Sequence, residues 1–190
     1  SSVMEPTTFY KELRKNKADA HAYLDFVTDQ LIDFAKAQID AGADVITVSD
    51  PSGTGEILGP KLFEEYTVKY LNKFYDEIKK YNVGTICHIC GQMKSVYKEM
   101  NEVRSDALSF DSVVPMQQAR KNLEDRVLMG NISTYALEFG DTERVSKLTR
   151  SAERSGTNII SPACGLGTKS PITNIKAILE TVKEDSRANA

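Results

Sequence analysis

Apolar positions change their period along the chain, and those changes mark out its elements. Phe9, Tyr10 and Leu13 suggest a short helix from Glu5 to about Asn16. From about Asp19 to Ala41, Leu24, Phe26, Val27, Leu31, Phe34, Ala35 and Ile39 recur at the three- and four-residue steps of a helical stripe, and Gly42 stops it. Short runs rich in apolar and β-branched residues then read as strands: Asp44 to Ser49, Gly84 to His88, Ala107 to Phe110, Val127 to Asn131 and Asn158 to Ser161. Helical stretches follow them at about Pro60 to Tyr81, Met93 to Glu102, Pro115 to Asn122, Thr142 to Ser155 and Ile172 to Asp185, with Pro171 as an early residue of the last. The glycine-rich stretch Gly53 to Gly59 has no Lys-Ser or Lys-Thr step, so it does not match a phosphate-binding loop and reads instead as a mobile loop over a site.

The β-α alternation repeats five times, which predicts a parallel α/β fold of the (β/α)8 barrel type. A weak internal repeat supports it: AGADVITVSD at 41–50, RSDALSFD at 104–111 and SGTNIISPAC at 155–164. In each, a helix ends on small or polar residues, a strand follows, and a residue with chemical potential stands at its C-terminal end, where parallel folds place their sites. A closed barrel needs roughly 250 residues. Five strands with leading helices over 1–41 therefore read as a single domain, 1–190, forming the C-terminal portion of such a barrel, with the first strands expected elsewhere. A complete open sheet with the same local pattern is the alternative.

Composition narrows the function classes. The chain is 41% hydrophobic and 27% charged, as expected of a folded globular unit. A net charge of −3, with Lys and Arg interleaved among Asp and Glu, leaves no basic stripe for nucleic acid. No apolar run approaches the roughly 18 residues that cross a bilayer, and no charged-then-apolar leader opens the chain, so a cytoplasmic protein without a membrane partner is expected. Three cysteines argue against a disulfide framework and suit a reducing compartment where thiolates stay available to metal.

Candidate chemistry concentrates at the strand ends. In GTICHICG at 84–91, His88 and Cys90 lie two apart and project to one side of a strand, so they can grip one ion. Cys164, in SPACGLG at 161–167, supplies a further soft ligand at another strand end. One imidazole and two thiolates suit zinc, and three protein ligands leave the fourth position open for chemistry. Cys87 alternates with His88 and is expected in the core facing the covering helices, while His21 is expected at the surface of the long helix. Asp50 and Asp111 also end strands, where a carboxylate serves either as a cap for the following turn or as ligand or proton acceptor. Asp111 follows the strand after the H-x-C strand and is expected as a labile fourth zinc ligand, a harder oxygen that yields to an incoming thiolate.

With HICG at 88–91, Cys164-Gly165, and Gly42-Ala-Asp44 before a strand ending Ser49-Asp50-Pro51, the chain resembles the uroporphyrinogen decarboxylase superfamily. Within it the sequence is similar to the methylcobamide:coenzyme M methyltransferases. FEEY at 63–66, Gly130-Asn131 and NIKA at 174–177 add to the likeness, which runs from about residue 20 to 185. The resemblance implies a (β/α)8 barrel with zinc on His88, Cys90 and Cys164, catalytic roles for Asp50 and Asp111, and substrate contacts from Ser52, Gly91, Asn131 and Gly165. It also implies the reaction: a small thiol such as coenzyme M, held on zinc as thiolate, attacks the methyl group of a methylated corrinoid carried by a partner protein, a step of methanogenic metabolism. Two rivals accompany it. One is a decarboxylase acting on a tetrapyrrole, with Asp50 at the substrate and the cysteines incidental. The other is a non-catalytic corrinoid-handling domain. Open sheet edges make a homo-oligomer the expected assembly.

Overall fold

The computed structural model describes residues 4–188, and the chain divides into two compact units, one through Asp106 and one from Ala107. Unit 1 opens with α1, Pro6–Lys15, capped by Glu5, whose carboxylate accepts hydrogen bonds from Thr7 N at 3.0 Å and Thr8 N at 2.7 Å. Those backbone donors hold the Glu5 carboxyl down at about 2. Helix α2, Lys17–Asp40, buries Thr28, Ile32 and Ala35, while Phe26 and Phe34 are 63% and 64% exposed. The buried face is thus rotated from the sequence stripe: positions 28, 32 and 35 share one side, and Lys73 of the next layer pairs with Asp25 and Asp29 at its margin. Gly42, at φ +99°, ends the helix in a conformation that favours glycine.

Strand β1, Val45–Asp50, pairs in parallel with β2, Gly84–Ile89, in the register Val45 to Gly84 through Asp50 to Ile89. Between them lie α3, Gly55–Leu62, a wide π-helical turn over Phe63–Val68, α4, Lys69–Ile78, and a short 3-10 turn, Lys79–Tyr81. The single helix expected from Pro60 to Tyr81 is therefore divided, and residues 55–59 are not the expected loop: Thr54 caps α3 by accepting from Glu56 N. Gly59 at φ +67° interrupts α3 just before Pro60, which lacks an N–H and disfavours a helical residue ahead of it. Tyr75 of α4 is fully buried and donates to Ile86 O at 3.0 Å; burial, then the neighbouring Cys87, drives its phenol far above the usual range. Residues 91–96 are irregular, so α5 covers only Tyr97–Asn101 of the longer helix expected.

In unit 2, β3, Ala107–Phe110, pairs with β4, Val127–Ile132, and β4 with β5, Ile159–Pro162. All these pairings, each within one unit, are parallel. The helices are α6, Met116–Asn122, α7, Thr134–Phe139, α8, Thr142–Arg154, and α9, Ile172–Ala188. Helix α7 has no counterpart in the sequence reading; Ser133 starts it by accepting from Ala136 N. Ile132, Leu137, Val145, Ala152, Ala177 and Ile178 form a core between β4 and the α8–α9 pair. Asn174, 3% exposed, fastens α9 to the end of α7 by donating to Leu137 O and Gly140 O.

The α8–α9 contact also carries a pH dependence. Burial first, then the hydrogen bond that protonated Glu153 donates to the Asp185 carboxylate, raises the Glu153 carboxyl above its usual range. A group raised on folding stabilises the fold below its unfolded value and loses that contribution as pH rises through the folded one. The Glu153→Gln protein, neutral at every pH, should therefore melt above wild type near pH 7 and level with it near pH 4, about the ordinary glutamate range. A gap of equal size at both pH values in thermal melts would exclude this origin.

Candidate metal centre

Unit 1 builds one half of the expected metal site by itself. β2 ends at Ile89, and His88 and Cys90, two residues apart, point to the same side; His88 Nε2 lies 3.3 Å from Cys90 Sγ. A tetrahedral zinc, with bonds near 2.3 Å to sulfur and 2.0 Å to nitrogen, sets two such atoms about 3.6 Å apart. The pair thus meets the fit to within a few tenths of an ångström. His88 is buried and Cys90 half-buried. Cys87 and Ile89 alternate to the opposite face and are fully buried, as expected for Cys87.

The β1–β2 register adds a residue the sequence reading missed. Ser49 pairs with His88, and paired residues of parallel strands share a face, so this exposed serine stands beside the imidazole. Asp50 pairs with Ile89 instead. Its Oδ1 accepts from Ser52 N and Gly53 N, both at 2.9 Å, the capping use of a strand-end aspartate. Asp50 and Ser52 line a hollow of about 420 Å³ in unit 1, walled by Phe9, Tyr23, Leu24 and Val27, while His88 and Cys90 are absent from its lining. Only the register, which no single strand's pattern reveals, distinguishes Ser49 from its neighbour.

Gly91 turns the chain directly after Cys90 at φ +81°, and a Cβ there would lie 2.9 Å from Thr54 Oγ1 and 3.0 Å from Glu56 Oε1. His21 corrects an expectation. It is half-buried, with Nδ1 2.8 Å from Tyr70 Oη, Nε2 3.3 Å from Glu65, and its ring stacked on Tyr66 at 4.8 Å. Lys17, and after it His21, hold the Glu65 carboxyl below the usual range. Because α2 packs this face against the π-helical turn and α4, the polar residues around His21 form a bonded cluster in place of a solvated surface.

The remaining candidates lie in unit 2. Asp111 follows β3 and accepts from Val113 N and Ser112 Oγ, both at 3.2 Å, again in a turn. Asn131 donates to Asp111 O at 3.0 Å and Val114 O at 2.7 Å, so its amide fixes the loop after β3. Cys164 follows β5 and is exposed, and Gly165 beside it faces open space.

Parallel β-α units whose strand ends carry this chemistry define an α/β enzyme scaffold of the barrel type. The chain belongs to the uroporphyrinogen decarboxylase (URO-D) family, whose model matches residues 1–185. Among curated relatives, the methylcobamide:CoM methyltransferase MtbA of Methanosarcina acetivorans is 31% identical over 163 residues, 85% of this chain and 48% of that protein. The uroporphyrinogen decarboxylase of a Wolbachia symbiont of Brugia malayi is 31% identical over 180 residues, 93% of this chain and 51% of that protein. A solved methyltransferase from Methanosarcina mazei matches with a TM-score of 0.87 at 26% identity, over 95% of this chain and 53% of that one. The fold is accordingly that of a partial barrel-type methyltransferase, and the chain spans about half the length of the curated relatives it matches. No helix among the described residues is long and apolar enough to cross a membrane.

Proposed function

We propose that this chain carries the zinc-binding part of a methyltransferase that moves a methyl group from a protein-bound methylated corrinoid to a small thiol, coenzyme M or a similar acceptor. The observation that carries the reading is the His88–Cys90 pair, set at a zinc-ligand separation inside a family whose members include corrinoid-dependent methyltransferases by name. Cys164, exposed just after β5, is the proposed third ligand, so that each of the three residues would offer one ligand atom. Bound zinc would keep a substrate thiol deprotonated at neutral pH, where a free thiol with a pKa near 8.5 is mostly protonated. Cys90 and Cys164, as two thiolates, would neutralise a bound dication and so leave a substrate sulfur electron-rich. His88, buried at the end of β2, would hold the ion from that strand, and Cys164 is exposed. Ser52, Gly91, Asn131 and Gly165 remain the proposed substrate-contacting positions, with Asp50 at the pocket.

The decarboxylase reading keeps one specific support, the long match to a uroporphyrinogen decarboxylase. Metal content separates the two. Protein prepared without chelators should hold about one zinc per chain, as a single three-ligand site requires, and the full-length protein should transfer methyl from methylcobalamin to at least one thiol of a panel. Zinc-free protein would sink the methyltransferase reading.

Asp111 is assigned the exchangeable fourth position. Asp111→Ala should keep its zinc, because three ligands remain. At the zinc absorption edge, wild type should gain one sulfur and lose one oxygen on adding substrate thiol; an unchanged ligand set rules the exchange out.

A further inference from the structure

Cys90 lies one residue beyond the last ladder position of β2, so the sheet's hydrogen bonds do not fix its side chain. Its position depends on what the next residues pack against, and that is the N-terminus of α3. Two glycines interlock there. A Cβ on Gly91 would meet Thr54 Oγ1 at 2.9 Å, Glu56 Oε1 at 3.0 Å and Thr54 Cβ at 3.2 Å; a Cβ on Gly55 would meet Val96 Cγ2 at 2.6 Å, Gln92 O at 3.0 Å and Ser95 Oγ at 3.1 Å. Each segment thus carries a glycine where the other presses in. Ser95 Oγ donates to Gly55 O at 3.1 Å, Thr54 is 4% exposed while capping α3, and Met93 and Val96 are fully buried. Segment 91–96 is irregular, yet it is seated on a helix end at contact distance along most of its length.

We infer that the start of α3, through Thr54 and Gly55, is the positioning element that holds Cys90 Sγ over His88 Nε2. This inference rests on the metal reading above and adds to it a set of residues that touch neither zinc nor substrate. The stretch that looks like a mobile loop in sequence is, in this role, the support of the thiolate. Partners that orient a metal ligand typically contribute 10- to 100-fold to metal affinity, and the same scale is expected here.

The test is Gly55→Ala in the full chain, with zinc affinity read by chelator competition and thiolate ligation by the charge-transfer absorption of the cobalt(II)-loaded protein. Alanine is favoured over glycine inside a helix, so the substitution acts through its methyl group against segment 91–96. Zinc affinity should fall about tenfold or more and the charge-transfer band should weaken. Adding Val96→Ala, which removes the 2.6 Å contact, should restore a good part of both. If Gly55→Ala does not fold, Ser95→Ala, which removes only the hydrogen bond to Gly55 O, should still lower zinc affinity measurably. Wild-type affinity and an unchanged spectrum in a destabilised variant would overturn the inference while leaving the metal reading intact. A wild-type protein that binds neither metal would remove both.

Discussion

Cys90→Ala is expected to lower zinc affinity by about 100-fold or more, because removing a ligand exceeds the 10- to 100-fold effect of losing a ligand's supporting partner. The His88 imidazole stays in place, buried at the end of β2, but it loses the sulfur that stands 3.3 Å from its Nε2. On the proposed ligand set, a neutral nitrogen and one remaining thiolate would also leave positive charge on a bound ion. That change makes it a stronger Lewis acid and draws electron density from a bound substrate thiolate, so residual zinc should support less methyl transfer per metal. Cys87→Ala is the internal comparison. Cys87 is one strand position from His88 yet fully buried on the other face, beside Tyr75. It should keep about one zinc per chain while melting lower, since a buried sulfur leaves a small cavity. Metal analysis and chelator titration of the two variants separate ligation from packing, and equal zinc affinity in Cys90→Ala and wild type would contradict the assignment of Cys90.

The second large effect is expected from Arg120→Met, which should destabilise unit 2 by about 3 kcal/mol. The Arg120 guanidinium donates to Leu123 O, Glu124 O and Arg126 O beyond the end of α6, and to Gly156 O and Asn158 Oδ1 in the turn that leads into β5. Asn158 Oδ1 also accepts from Leu128 N of β4, so one side chain ties a helix end to two strand entries. Hydrogen bonds to a charged group contribute about 1.5–3 kcal/mol each. Water can replace those at the exposed Glu124 and Asn158 contacts, so the net loss is well below the sum. Methionine keeps much of the apolar stem and removes every donor. Lysine at this position should rescue little, because one ammonium cannot reproduce a planar fork of five donors. In urea, a loss of this size moves the unfolding midpoint by about 1–3 M for a slope of about 1–3 kcal/mol/M. A loss below about 0.5 kcal/mol, the range of ordinary surface substitutions, would mean that water satisfies these carbonyls equally well.

The strands were legible in sequence because each is a short apolar or β-branched run bounded by Gly, Asn or Asp, and such runs encode their own extended conformation. The H-x-C pair was legible for a related reason. Alternation along a strand is a local property, so two residues apart means one face, and Cys87 falls to the other. The faces taken by His88 and Cys87 follow from nearest neighbours alone, whereas Cys90 lies one residue beyond the end of β2.

What the sequence could not provide depends on contacts between segments distant along the chain. The stripe on α2 ran through Phe26, Phe34 and Ala35, yet Phe26 and Phe34 are exposed while Thr28, Ile32 and Ala35 are buried; helix rotation is set by the partner surface, which periodicity does not contain. His21 looked solvated until Tyr66, Tyr70 and Glu65 came to it from more than forty residues away. The run Gly53 to Gly59 carried loop composition, yet two of its residues, Thr54 and Gly55, cap and start α3 against segment 91–96. Thr54 offered a local capping signal, but glycine marks both a flexible stretch and a place of close approach, and only the approaching neighbour distinguishes them. The amino-acid sequence by itself therefore determined the parallel β-α order and the pairing of His88 with Cys90, both fixed by local periodicity. The tertiary structure decided which face of each helix is buried, which residue of β1 stands beside His88, and what holds Cys90 in place, because each of these is a contact between elements whose separation in sequence hides it.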